Sequence, residues 1–419
     1  MTDMDTLPSN RRIATTRAAV DDSPALARAV AGSAVRRALV LSGGIALGAF
    51  EAGALAALEE ADEGLPEWIA AASIGAVNAA IFAGNRPGER AAALRRFWRC
   101  AASDPTPVMT ALLGPPPVSG AWRRAYNDAA VLQSLTFGRP GVFRPRIMIP
   151  GFLIGDAPAL FDLAPLTARL REVVDFDRLN AGGAGASPRV TPRLSIVATD
   201  VLSGERVVFD TAHGTRITPE HVAASGALLP LFAPVEVEGR LFGDGGLASN
   251  TPLDLVLDEP GEGALHCIVL DLFAKSGPRP CSLAASLARA ADVGFSNQTS
   301  RLLEGRAREY QLLAVLDRMA ERLPADLRAD AEIAGMFGQV RDQIQQTNVV
   351  NLRYRPGSEE AGPGKLFDFS GPTLAERWAA GETGMREAIQ RLLRPDGATV
   401  LAPGLLLHEL GAGPGQAVA

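Results

Sequence analysis

Two passages near the start of the chain, RRALVLSGGIALGAFEAG (36–53) and EWIAAASIGAVNAAIFAG (67–84), carry the same plan. In each, a short apolar run meets small residues and then continues as apolar positions at helical spacing. Ala38 to Leu41 form a run stopped by Gly43 and Gly44, the pattern of a buried strand entering a glycine loop. Ala49 to Glu60 then read as a helix. Residues 67–71 repeat the strand, and residues 74–84 repeat the helix, closed by Gly84. Two strand-to-helix units in so short a span predict an α/β layer fold.

The later pattern extends that prediction. RLSIVATD (193–200) and ERVVFD (205–210), joined by a VLSG turn, read as a strand pair, and GRLFGDGG (239–246) and ALHCIVLDLFA (264–274) add strands. Between Cys100 and Pro192, proline-rich segments predict a long irregular insert, a lid or binding loop at about 101–160, before APLTARLREVVDF restores a helix. Residues 1–36 read as a mobile tail and 37–275 as the main domain. Residues 276–395 read as a mainly helical extension containing one strand, NVVNLRYRP, and 396–419 as a Gly/Pro-punctuated tail.

Three features carry chemistry. Ser73 stands where a strand hands over to a helix, with the small residues Ala71 and Gly75 two positions to either side, as a nucleophile elbow requires where backbones crowd. The plain alternative is an N-cap serine opening an ordinary helix. The loop LSGGIALG offers backbone amides at Gly43, Gly44 and Ile45, with Gly48 closing it. Such amides can converge on a developing negative oxygen, and the alternatives are a phosphate loop or tight packing. No phosphate-loop spacing is matched and no lysine follows Gly48. Asp244, followed by Gly245 and Gly246, leaves a carboxylate uncovered at a strand end, although Asp-Gly also marks hairpin turns. Together the three form one consistent acyl-transfer site. Asn78 and Asp200 are expected to support loops, Asn250 to cap the helix that follows it, and His266 or His408 could in principle complete a triad.

In that order, an oxyanion loop, a serine elbow and a D-G-G motif resemble the patatin-like phospholipase family. VATDVLSGERVVF, ASGALLPLFAPVEVEGRLFGDGGLASNTPL and ALFDLAPLTARLREVVDFDRLN are similar to family segments, and KLFDFSGPTLAERWAAGETGMREA is similar to the C-terminal extension of one bacterial branch. The resemblance implies a three-layer sandwich with a central, mostly parallel mixed sheet. It also implies a lipid acyl hydrolase with a Ser-Asp dyad: Ser73 attacks an ester carbonyl, Asp244 takes its proton, and the Gly43, Gly44 and Ile45 region holds the oxyanion. Three positions depart from the family pattern. Ala71 replaces the first elbow glycine, Ile45 a loop glycine, and Leu47 the basic residue of the loop. A lipid-binding protein without turnover and a soluble esterase or thioesterase are the competing readings.

A net charge of −6 provides no basic footprint for nucleic acid. The three cysteines, widely spaced, form neither a disulfide framework nor a zinc pattern, and a reducing, cytoplasmic location is expected. Arg11 and Arg12 mimic a twin-arginine signal, but no apolar region follows them, and no apolar run reaches transmembrane length. No metal or cofactor is expected. The expected partner is a lipid ester; Phe143, Ile147, Ile149, Phe152 and Leu153 beside Arg144 and Arg146 suit transient contact with an anionic membrane surface, and equally a loop packed on the domain's own core.

Overall fold

The computed structural model describes residues 35–412 apart from 62–64, 115, 147–158, 183–189, 260, 262, 278, 282, 344–345, 356–361 and 394–397. The first two units form as expected. Strand β1 (Val35–Leu41) leads through the glycine loop into helix α1 (Gly48–Ala61), and β2 (Trp68–Ala72) into α2 (Ile74–Ala83). They belong to a ten-stranded sheet. Its other strands are β3 (Arg193–Asp200), β4 (Arg206–Asp210), β5 (Val235–Val237), β6 (Arg240–Asp244), β7 (Ala264–Asp271), β8 (Thr347–Tyr354), β9 (Thr399–Ala402) and β10 (Leu405–Ala412). The path runs β9-β10-β8-β7-β1-β2-β3-β6-β5, with β4 on β3. The six-strand centre from β10 to β3 is parallel, and antiparallel strands close both ends.

Alternate residues of the central strands face two separate cores, which explains why these strands read as continuous apolar runs. Leu39, Leu41, Ile69, Ala71, Ile268 and Leu270 face one core with α1, α2 and helix Arg90–Ala101. Ala38, Val40, Ala70, Cys267 and Val269 face the other, with helix Leu253–Asp258 and the long helix α4 (Leu283–Glu321). Helices therefore cover both faces of a mixed, mostly parallel sheet, the three-layer α/β fold.

Three expectations need correction. The stretch read as a terminal tail supplies β9 and β10, and β10 pairs in parallel with β8 from Thr347↔Leu405 to Tyr354↔Ala412. The insert is not irregular throughout: helices Pro107–Leu113 and Ala121–Phe137 occupy much of it. Phe143 does not face outward. It is buried against Phe161, Phe232, Phe367 and Phe369. Ile147, Ile149, Phe152 and Leu153, like residues 1–34, lie outside the described residues, while Arg144 pairs with Asp162 at 2.9 Å and Arg146 is exposed.

The C-terminal region packs directly on the first unit. Helix α5 (Gly371–Leu393) crosses α1 nearly backbone to backbone. A Cβ at Gly53 would lie 2.0 Å from the Trp378 carbonyl oxygen, and one at Gly381 would lie 1.9 Å from that of Phe50. Backbone cannot yield as a flexible side chain can, so only glycine fits at this crossing. Gly381→Ala should therefore lower the unfolding free energy by about 2 kcal/mol or more in urea denaturation. Gly371→Ala in the same helix, where a Cβ meets nothing within 4 Å, should stay within about 0.5 kcal/mol of wild type.

Candidate active site

Ser73 follows the last residue of β2 and precedes α2. Its backbone, at φ 56° and ψ −125°, lies in a region that costs a non-glycine residue roughly 1–3 kcal/mol. Such strain persists only where the surroundings impose it, and two contacts do so here. The Ser73 amide donates to Ser225 Oγ at 2.9 Å, and that hydroxyl donates to the Val197 carbonyl at 2.6 Å, tying the elbow to β3. Gly75 sits so close to β1 that a Cβ would meet Leu41 carbonyl atoms at 2.8 Å. Ala71 faces the first core and is fully buried, so its methyl is accommodated where the family pattern has glycine. The side chain of Ser73 caps nothing in α2. Its Oγ instead donates to Asp244 Oδ2 at 2.6 Å, which rules out the plain N-cap reading.

Strand pairing brings Asp244 there. One edge of β3 is taken by β4 from Ser195 to Thr199, which leaves the other for β2 and β6. Ala72 pairs with Val197, and Asp244 pairs with the next residue, Ala198. Asp244 thus stands in line with the position that follows Ala72, which is Ser73. The hairpin of β5 and β6 turns at Glu238 and Gly239, both with positive φ, and not at Asp244 as the hairpin alternative supposed. Asp244 Oδ1 accepts the Gly246 amide at 2.6 Å. The Asp244 and Gly245 amides donate to Ala227 and Ser225 carbonyls at 2.9 and 3.1 Å, so the segment at 225–227 holds both the elbow and the aspartate loop. Complete burial pushes the Asp244 carboxyl up to about 6, against the lowering effect of its bonds from Ser73 and Gly246.

The glycine loop lies beside this pair. A Cβ at Gly43 would stand 2.9 Å from Ser73 Cβ and 2.5 Å from Asn250 Oδ1. The Gly43 amide donates to the Asn250 carbonyl at 3.2 Å, so this N–H is already committed and Gly43 contributes space. Ile45 has φ 49°, a left-handed conformation that costs a β-branched residue about 1–2 kcal/mol. Gly48 begins α1, and its carbonyl accepts Asn78 Nδ2 at 2.9 Å. Asn78 also donates to buried Glu51 and accepts Trp98 Nε1 at 3.0 Å, the supporting role expected of it. Burial raises the Glu51 carboxyl well above the usual carboxylate range.

Asn250 does not cap the helix that follows it, Leu253–Asp258, whose N-cap position is Pro252. It joins the aspartate loop to the glycine loop, while its own amide donates to Gln298 of α4 at 2.9 Å. Asp200 fixes its turn through the Leu202 and Ser203 amides. The triad candidates lie elsewhere. His266 pairs with Arg37 near the start of the parallel strands, whereas Ser73 stands at their far ends. His408, in β10, is separated from β2 by β8, β7 and β1. Ser225, Gln298 and Ser42, whose hydroxyl accepts the Leu272 amide at 3.1 Å, escaped sequence reasoning. For Ser225 a signal existed, since ASGALLPLF lies in a segment similar to the family. Among the described residues no cluster of three or more His, Cys, Asp or Glu could hold a metal, and no helix is long and apolar enough to cross a membrane.

The patatin-like phospholipase family profile matches residues 39–257, and a second profile, described as patatin phospholipase, matches residues 293–394. The first match covers more than half of the chain, which therefore belongs to the patatin-like phospholipase family, a family of lipid hydrolases. No curated protein sequence matches it. Among solved structures it is similar to VipD of Legionella pneumophila, at 15% identity and a TM-score of 0.35, over 85% of this chain and 66% of that one. It is also similar to the heterodimeric ExoU–SpcU complex of the Pseudomonas aeruginosa type III secretion system. That match has 22% identity and a TM-score of 0.20, over 46% of this chain and 35% of that one. The chain thus spans under two thirds of either matched chain.

The buried carboxyl has a consequence for stability. Since Asp244 titrates higher in the fold than in the unfolded chain, its contribution is full below about pH 4 and is lost as pH rises through about 6. Asp244→Asn, uncharged throughout, should melt above wild type at pH 8, with the difference shrinking toward pH 4. A difference independent of pH would contradict the burial argument.

Proposed function

We propose that this protein is a serine-dependent lipid acyl hydrolase acting through a Ser73–Asp244 dyad and an acyl-enzyme. The observation that carries the reading is the 2.6 Å bond from the strained Ser73 to a fully buried carboxylate. A free carboxyl with a pKa of about 4 is a poor base for a hydroxyl, and desolvation to about 6 improves it while leaving it ionised at neutral pH.

In the forward step Ser73 Oγ bonds to the ester carbonyl carbon as its proton passes to Asp244 Oδ2, and the carbonyl π electrons move onto oxygen. The Gly44 and Ile45 amides are the donors best suited to that oxyanion, because Gly43 N–H is taken by Asn250. Helix α2 begins one residue after the nucleophile, and its positive end favours the same charge. Collapse of the intermediate breaks the ester C–O bond, and Asp244 returns the proton to the departing alkoxide. Water then repeats the sequence on the acyl-enzyme, releasing the fatty acid and restoring Ser73.

A lipid substrate is supported by family membership and by the insert helices, which expose Leu112 and Phe137 at 75% and 73% along with Val108 and Leu132. Such apolar side chains suit contact with an aggregated lipid surface. With phospholipid vesicles as substrate, product mass spectrometry should detect free fatty acid and lysolipid. Long acyl chains should be cleaved faster than short soluble p-nitrophenyl esters, and the reverse order would favour a soluble esterase. The kcat/KM should rise with pH through about 6 as Asp244 ionises. Asp244→Asn should lower it by about 100-fold or more in folded protein, while near-wild-type turnover would refute the dyad.

A further inference from the structure

We propose that Arg377, on the C-terminal helix α5, is a positioning residue for the oxyanion loop and supplies from the C-terminal region the positive charge that the loop itself lacks at Leu47. The inference rests on the acyl-hydrolase reading above, and names the group that holds its oxyanion donors in place.

The Arg377 side chain is buried, at 1% exposure. Its Nη1 donates to the Ala46 carbonyl at 3.0 Å and to the Asp368 carbonyl at 3.1 Å, and its Nη2 donates to the Lys365 carbonyl at 2.9 Å. Nη1 thus joins the glycine loop to the segment leading into α5, and Nη2 holds that segment at a second carbonyl. That segment is itself anchored. Lys365 Nζ pairs with Asp292 Oδ1 of α4 at 2.6 Å inside the protein, and Asp368 Oδ1 accepts the Ser370 amide at 3.0 Å. Arg377 and Gly381 stand four residues apart on one face of α5, and Gly381 permits the close crossing with the helix that the glycine loop opens.

The loop needs such an anchor. Ile45, next to Ala46, holds φ 49° without the freedom of glycine, and the Leu47 amide closes the turn on the Gly44 carbonyl at 3.0 Å. A charged donor on the Ala46 carbonyl fixes the Ala46–Leu47 peptide, whose N–H is the Leu47 amide bonded to the Gly44 carbonyl, and so holds the turn that carries the Gly44 and Ile45 amides. Leu47, fully buried beside Gly44, leaves the loop with no cation of its own. A guanidinium remains protonated even when buried, and in a medium of low dielectric its charge acts on an oxyanion without direct contact. Lysine cannot reproduce the fork, because a point ammonium cannot span the Ala46 and Lys365 carbonyls together.

The test compares wild type, Arg377→Met, Arg377→Lys and Ser73→Ala on a long-chain ester, and on a chain-matched trifluoromethyl ketone that forms a tetrahedral oxyanion adduct with a serine. Arg377→Met should lower kcat about tenfold or more while KM stays within about twofold, and should weaken ketone affinity by the same factor as kcat. The rise of kcat/KM through about pH 6 should remain where it is, and Arg377→Lys should recover part of the loss. A lower melting temperature with kcat per labelled active site and ketone affinity unchanged would overturn the proposal. If Arg377→Met does not fold, Arg377→Lys decides: ketone affinity reduced at least threefold supports the proposal, and wild-type affinity overturns it. Turnover by Ser73→Ala at the wild-type rate would instead sink the acyl-hydrolase reading, whatever Arg377 does.

Discussion

One edge of strand β3 is shared by two partners in succession, β2 as far as Val197 and β6 from Ala198, and the site depends on that succession. A one-residue shift in the β6 pairing would turn Asp244 to the opposite face of the sheet, and one in the β2 pairing would displace Ser73; either would separate the two. Ser225 secures the arrangement, since its hydroxyl joins the Ser73 amide to the Val197 carbonyl and its own carbonyl receives the Gly245 amide. The elbow strain is thus offset by bonds to the same strand that sets the register.

The C-terminal region is structurally inseparable from this site. It adds β8, β10 and β9 to the sheet beyond β7, places α5 backbone to backbone on α1, and sends Gln298 to the Asn250 amide and Arg377 to the Ala46 carbonyl. Three loops therefore have partners from elements far along the chain: the elbow from α3 (Pro219–Ser225), the aspartate loop from α4, and the glycine loop from α5. Departures at Ala71 and Leu47 look like losses in a motif taken alone. In the folded chain Ala71 fits a core position, and a buried cation adjoins the loop beside Leu47.

What could be read in the sequence was what depends on neighbouring residues. The strand-to-helix units, Ser73 between small residues and Asp244 before two glycines all leave local signatures, because backbone crowding limits the side chains allowed. Ser225, Gln298 and Arg377 act across long sequence separations through side-chain bonds to the main chain, and such bonds impose no periodicity. The insert and the last strands are obscured for another reason, since their prolines and glycines look like breakers. Pro107 instead starts a helix at its first turn, and Pro403 with Gly404, at φ 83°, turns β9 into β10. Phe143 is ambiguous in sequence because an aromatic beside arginines reads alike at a lipid surface and in a core, and the structure places it in the core.

In the proposed chemistry, the Ser73 hydroxyl is paired with a buried carboxyl as base, and both lie beside the glycine loop. The central claim is that Ser73 is the nucleophile, and a fluorophosphonate probe followed by peptide mass spectrometry tests it most directly. One adduct should form, on Ser73, and none on Ser73→Ala. Equal labelling of the two proteins, or an adduct confined to another residue, would contradict it.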